Sequence, residues 1–166
     1  NVFHVPLEVT EKEFPVRYRS MELWTNSGGA GRCRGGLGFK AQVEWLSGHA
    51  VLSVRGERHK FQPWGVDGGK SSPVCRTEIV DSDGSVEHVP AKIVQPIQAG
   101  QTLRYWSTGG GGYGSPSKRD PGLVLDDVLD GRVSVDEAEK SYSVVIKNLS
   151  VDGEATQKLR ALEESC

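Results

Sequence analysis

The placement of glycine constrains this chain more than any other feature. Of its 21 glycines, six fall between Ser27 and Gly38 and five between Gly109 and Gly114. Glycine loses more conformational freedom on folding than any other residue and weakens helices and strands alike. Two dense clusters therefore mark two loops, and regular structure has to be built from the stretches around them.

Those stretches are dominated by a period of two. In Leu37, Phe39, Ala41, Val43 and Trp45, apolar residues alternate with Lys40, Gln42 and Glu44, the pattern of a half-buried strand. Similar runs cover Val16 to Trp24, Ala50 to Arg55, Val74 to Val80, Lys92 to Gln95 and Thr102 to Trp106. Turn signals separate them, among them Ser47-Gly48, Gly68-Gly69 and Ala99-Gly100. Asp81-Ser82-Asp83-Gly84 reads as a hairpin turn with Gly84 at positive φ. About six closely spaced strands with no helical pattern between them predict a mainly β (α+β) fold, an antiparallel sandwich or open barrel.

After Gly114 the period changes. Asp120-Pro121 predicts a helix start, with the carboxylate capping free amides and proline in the first turn. Leu125, Val128 and Leu129 share one face, and Asp130-Gly131 supplies a stop. Ser134 with Glu137 reads as a capping box for a helix through Tyr142. Val144 to Ile146 is a short apolar run, and Glu154 to Glu164 a last polar helix. The expected organisation is a β-rich domain over 1–114 with two glycine-rich loops, then a helical extension over 115–166.

Composition narrows the function. Formal net charge is −2, without the basic footprint of a nucleic-acid binder. Residues up to Gly114 carry 13 basic and 11 acidic groups, and the rest 7 and 11, an asymmetry too small to name a partner. No apolar run approaches the ~18 residues of a membrane helix. Cys33, Cys75 and Cys166 are odd in number and widely spaced, which predicts reduced thiols and a cytoplasmic protein. The first residue is Asn1 rather than Met, which suggests a processed piece or a fragment. His4, His49, His59 and His88 never fall at i, i+2 or i, i+4, so no metal-ligand pair is legible.

Short motifs fail on context. Gly109, Gly111 and Gly114 have the bare spacing of a dinucleotide loop, but Ser115-Pro116 and Pro121 postpone the helix that would face a pyrophosphate. Gly68-Gly69-Lys70-Ser71 resembles the end of a phosphate-binding loop, yet Trp64 stands where the leading glycine belongs. Arg32 and Arg34 read as donors that hold a tight loop or an anionic partner. Glu57-Arg58 reads as a buried ion pair or part of a site. Trp24, Trp45, Trp64 and Trp106 read as core or interface anchors.

Read together, these elements resemble a known family. SGGAGRCRGGLGF (Ser27 to Phe39), SVRGERHKFQPWGVDGG (Ser53 to Gly69), STGGGGYGSPSKRDP (Ser107 to Pro121) and DDVLDGRVSVDEAEKSYSVV (Asp126 to Val145) resemble the C-terminal portion of the hydantoinase B/oxoprolinase family. VPLEVTEKEFPVRY, at Val5 to Tyr18, resembles the segment just upstream. The resemblance implies part of an ATP-dependent complex that opens cyclic amides or carboxylates ketones through a phosphorylated intermediate. It further implies two partners: a hydantoinase A-type ATP-binding subunit and the remainder of a hydantoinase B-type subunit. ATP, magnesium and a divalent metal would be held elsewhere in the complex, with no cofactor bound by this chain alone.

Carried over to matching positions, the resemblance makes Arg32, Arg34, Glu57, Arg58, Gly109, Gly110, Gly111, Gly112 and Tyr113 candidates for lining a substrate or intermediate. It assigns no catalytic residue and no metal ligand. Ser115 stands where the family commonly has Asp. The expected role is mainly structural within an enzyme complex; the alternatives are a non-catalytic interaction subunit and a free-standing ligand-binding β module.

Overall fold

A computed structural model describes residues 5–164; His4 and Cys166 of the sequence analysis lie outside the described residues. The chain divides into two interleaved compact units, one of residues 1–22, 39–60 and 75–107, the other of 23–38, 61–74 and 108–166.

The first unit holds a short helix, α1 (Leu7–Glu13), and seven strands: β1 (Val16–Leu23), β2 (Phe39–Trp45), β3 (His49–Arg55), β4 (Arg76–Val80), β5 (Val86–His88), β6 (Lys92–Gln98) and β7 (Thr102–Trp106). Five of them form a sheet in the order β1-β2-β7-β4-β5. β7 runs antiparallel to both neighbours, which places Leu103 between Val43 and Ile79, and Tyr105 between Ala41 and Thr77. Ala41 and Ile79 are each 2% exposed, so the alternating residues face a buried side. Phe39 of β2 meets Tyr105 of β7 edge-on with ring centroids 5.6 Å apart. The Arg76 guanidinium lies 3.8 Å from the Trp106 ring centroid, a cation–π contact.

β3 and β6 form a separate antiparallel ribbon, with Ala50 opposite Ile97 and Val54 opposite Ile93. Ile97 is buried, whereas Val51 and Val94 on the other face are exposed. The mainly β, antiparallel class is thus observed, its strands shared between a five-stranded sheet and a two-stranded ribbon. The hairpin at Asp81–Gly84 forms as expected: Gly84 has φ 86°, its N–H donates to Asp81 O at 2.9 Å, and Asp81 N–H donates to Ser85 O at 2.9 Å. Helix α1 has no signal in the sequence because its N-cap is Pro6, without a side-chain cap, and it buries no residue. Its Glu11 accepts the Tyr18 amide at 2.6 Å on β1.

The second unit contains both glycine clusters, helices α2 (Pro121–Leu129), α3 (Val135–Tyr142) and α4 (Gly153–Glu164), and a small hairpin of β8 (Ile146–Lys147) and β9 (Ser150–Val151). Asp120 caps α2 by accepting from the Gly122 and Leu123 amides. Gly131, at φ 70°, follows its end. Of the expected face, Leu125 and Val128 pack partly buried against the core, but Leu129 does not. Val124 (0%) and Asp127 (3%) are buried while Leu129 is 54% exposed, because Asp127 is drawn inward by arginines. Ser134 accepts from the Glu137 amide at 3.2 Å, but the reciprocal half of the capping box is made by Asn26, whose Oδ1 accepts the Ser134 N–H at 2.8 Å. Val124, Val133, Ala138, Tyr142, Val144 and Ile146 form the core with Ala30 of the first glycine segment.

Candidate functional site

The glycine segments do not hang as loops; they lie against one another, backbone to backbone. Gly29 N–H donates to Gly110 O at 2.8 Å, Gly110 N–H to Gly36 O at 2.9 Å, Lys70 N–H to Ala30 O at 2.7 Å and Gly112 N–H to Lys70 O at 2.9 Å. Cys33 and Tyr113 exchange both backbone bonds at 2.9 Å, Val66 N–H donates to Gly112 O, and Gly114 N–H to Val66 O. Three stretches, Ser27 to Gly36, Trp64 to Lys70 and Gly109 to Gly114, thus knit into one bundle.

At Gly35, Gly111 and Gly112 glycine is required because no space remains for a side chain. A Cβ on Gly111 would sit 1.9 Å from Trp64 O, one on Gly35 2.0 Å from Gly110 O, and one on Gly112 2.1 Å from Ala30 O. The amides of Gly110, Gly112 and Tyr113 already donate within the bundle. Ser72, fully buried, closes one end by donating from Oγ to Gly109 O at 2.9 Å.

Arg34 holds this bundle to α2. Its Nε and Nη2 reach the two Asp127 carboxylate oxygens at 3.1 and 3.2 Å, and its Nη1 donates to Gly35 O at 2.7 Å. Arg119 repeats the arrangement, with Nη2 to Asp127 Oδ2 at 2.9 Å and Nη1 to Arg32 O at 3.1 Å. Arg132 Nη1 lies 3.5 Å from Asp127 Oδ1. One carboxylate, 4% exposed, therefore anchors two arginines that each grip a carbonyl of the first glycine segment. The residues sequence reasoning missed are Asp127 and Arg119. The only legible signal was that Asp127 lies three residues after Val124 and next to Val128, on the apolar side of α2.

Tyr142 packs beside this cluster, 1% exposed, and its Oη has no hydrogen-bond partner among the described residues. Burial pushes its pKa up to about 12, partly opposed by the Arg119 and Arg34 charges. The neutral phenol is favoured in the folded state, so the unfolded chain releases its proton first. Stability is complete below about pH 10 and falls as pH rises from about 10 toward 12, by up to about 2–3 kcal/mol. Tyr142→Phe is expected to abolish that part of the alkaline loss and to leave stability at pH 7 unchanged or higher by about 1 kcal/mol. Urea unfolding of both proteins between pH 8 and 11.5 checks this; parallel curves would clear Tyr142.

The structure brings together Arg32, Arg34 and Gly109 to Tyr113, all in the second unit. Arg32 is exposed, its guanidinium 5.7 Å from the Tyr113 ring centroid. Glu57 and Arg58 belong to the first unit. Glu57 is a surface group, its Oε1 3.1 Å from Lys92 Nζ, beside a groove of ≈ 540 Å³ lined by Val54, Arg55, Lys92, Ile93 and Val94. Arg58 has φ 61°, and its carbonyl accepts the Cys75 amide at 2.9 Å. Gly68, in the stretch resembling a phosphate loop, sits in a turn with φ 85°. Ser115 Oγ lies 3.0 Å from Ser117 Oγ, at the start of a 3₁₀ turn over Pro116–Lys118. Among the described residues, no three His, Cys, Asp or Glu side chains converge to hold a metal ion. Among them, too, no helix is long and apolar enough to cross a membrane.

The model of the hydantoinase B/oxoprolinase family matches residues 1–116. The chain is 34% identical over 163 residues to the B subunit of a putative D-/L-hydantoinase from a Pseudomonas species, covering 96% of this chain and 27% of that protein. It is 36% identical over 161 residues to the beta subunit of the caprolactamase of Pseudomonas jessenii, covering 93% and 28%. With the alpha subunit of the acetone carboxylase of Xanthobacter autotrophicus identity is 26%, over 89% of this chain and 23% of that protein. The crystal structure of the ATP-dependent caprolactamase from Pseudomonas jessenii superimposes with TM-score 0.82 at 33% identity, over 93% of this chain and 28% of that chain. A nucleotide-free acetone carboxylase superimposes with TM-score 0.84 at 22% identity, over 97% and 26%, a likeness of fold alone. The chain spans less than a third of the length of each of these relatives.

Proposed function

This chain belongs to the hydantoinase B/oxoprolinase family, and from that premise we propose that it is the structural C-terminal portion of a subunit in an ATP-dependent enzyme that opens cyclic amides. The observation that carries the reading is similarity along almost the whole chain, at 34% and 36% identity, to subunits of a hydantoinase and a caprolactamase. Identity to the acetone carboxylase subunit is lower, at 26%, which favours amide opening over ketone carboxylation.

In this reading ATP transfers phosphate to the amide oxygen and so turns a poor electrophile into a good one. A hydantoinase A-type subunit supplies the nucleotide site. In the same reading, magnesium and any further divalent ion are held by the partner polypeptides. The glycine bundle contributes rigidity: Arg34 and the backbones of Gly110 and Gly112 are committed to internal bonds, and Arg32 and Tyr113 are exposed.

Reconstitution tests the reading. The chain, the rest of a hydantoinase B-type subunit and a hydantoinase A-type subunit are combined, and ATP hydrolysis is followed with caprolactam, with hydantoin, and with acetone plus bicarbonate. Amide-dependent hydrolysis is expected, with no heat of ATP–magnesium binding to the isolated chain by calorimetry. Turnover of an amide by the isolated chain, or ATP use driven by the ketone alone, would overturn the proposal.

A further inference from the structure

We infer that the aromatic face carried by the glycine bundle, formed by Trp64, Val66 and Tyr113 with Arg32 at its edge, is the surface on which the remainder of a hydantoinase B-type polypeptide docks. The inference rests on the reading above that the chain works within such a subunit, and it assigns the seam.

The face is built by the backbone pairing. Tyr113 bridges Cys33 on one side in antiparallel fashion and Val66 on the other in parallel. Directly paired residues project from the same side of a sheet, so Cys33, Tyr113 and Val66 stand in a row. Trp64 lies two residues before Val66 on a segment pinned by the close approach of Gly111 to its carbonyl. Exposure at the large residues here is unusual: 66% for Trp64, 54% for Val66 and 46% for Tyr113. Phe61, three residues before Trp64, is 77% exposed. Large exposed apolar side chains grouped on paired and neighbouring backbone mark an interaction site, and Trp, Tyr and Arg are the side chains that dominate binding energy at interfaces.

Two further observations choose the occupant. The backbone beneath the face has little freedom left, because Val66, Gly112, Tyr113 and Gly114 are all hydrogen-bonded within the bundle. Docking a rigid platform costs little ordering entropy, as suits a permanent seam. The chain also covers only 27% and 28% of the two amide-opening relatives, so in those proteins more than twice its own length of further polypeptide needs a contact surface. Charge adds a requirement. No carboxylate of the described residues pairs with Arg32, which rests on the Tyr113 ring; the docking partner is therefore expected to bring an acidic side chain to it beside an apolar one for Trp64.

The test measures binding of this chain to the part of the Pseudomonas jessenii caprolactamase beta chain outside the matched 28%. Analytical ultracentrifugation and fluorescence titration are the readouts. The unmodified chain is expected to form a one-to-one complex. The double variant Trp64→Ala/Tyr113→Ala and the single variant Arg32→Glu are expected to raise Kd at least tenfold. Val94→Ser, at an exposed apolar position on the β3–β6 ribbon, is expected to leave Kd within twofold. Circular dichroism melts confirm that each variant is folded, and Arg32→Glu decides the matter should the double variant not fold. A complex that ignores all the variants at the face would overturn this seam while leaving the proposed function standing. Failure of the unmodified chain to bind would overturn both. A dimer of the chain lost in the Trp64→Ala/Tyr113→Ala variant would assign the face to a second copy and equally overturn the seam.

Discussion

Gly111→Ala is expected to lower stability by about 3 kcal/mol or more, whereas Gly110→Ala, one residue earlier, changes it by less than about 1 kcal/mol. A methyl on Gly111 would meet the Trp64 carbonyl at 1.9 Å. Neither partner can yield cheaply, because both are backbone and both sit in a bundle held by hydrogen bonds. The three glycine segments would have to separate, and Ala30, which packs in the core beside Val124 and Tyr142, would move with them. At Gly110 the nearest atom to an added methyl is Gly36 N at 3.5 Å, and φ is not positive. Alanine there is accommodated and, by reducing the freedom of the unfolded chain, can raise stability by several tenths of a kcal/mol. For a chain of this length the first substitution corresponds to a fall in Tm of roughly 6–12 °C. Thermal melts of the two variants side by side decide the point: equal effects would mean that the glycines are needed for flexibility rather than for close approach.

Asp127→Ala is expected to cost about 3–5 kcal/mol, since it leaves Arg34 and Arg119 charged, buried and unpaired. These two guanidiniums are 15% and 13% exposed. Each also donates to a carbonyl of the first glycine segment, at Gly35 and at Arg32, so the loss reaches the bundle as well as α2. Asp127→Asn keeps two polar atoms facing the arginines and is expected to recover part of the loss. Asp126→Ala, at the exposed neighbouring position, is expected to stay within about 0.5 kcal/mol. Urea unfolding of the three variants provides the comparison. An Asp127→Ala protein as stable as Asp126→Ala would remove the carboxylate from its central place.

Much of the fold was legible because it depends on local rules. Alternation along Phe39, Ala41, Val43 and Trp45 became β2, and every one of the six runs read as strands overlaps one. Asp120 and Ser134 cap the helices they were expected to cap, since a cap needs only its own next three residues. What stayed hidden had no local cause. Helix α1 carries no capping side chain and no buried face. Asp127 looks like any acidic residue near a helix end until Arg34, 93 residues earlier, is brought against it. Asn26 takes over half of a capping box from 108 positions away.

The candidate site divides in the same way. Density of glycine announced that Gly28 to Gly38 and Gly109 to Gly114 were special, and the basic positions 32 and 34 stood out beside them. Two neighbours of identical type in the sequence then receive opposite assignments in the fold: Arg34 is tied to Asp127, while Arg32 is exposed beside Tyr113.

By itself the amino-acid order determined the β class, the hairpin at Asp81–Gly84, the helix caps and the two places where side chains are excluded, because each follows from steric and hydrogen-bonding preferences within a few residues. Only the tertiary structure decided that those two places meet, that Trp64 to Lys70 lies against them, and that Asp127 binds the assembly. Such contacts depend on which distant backbones approach within hydrogen-bonding reach of one another, and no periodicity along a single chain encodes that distance.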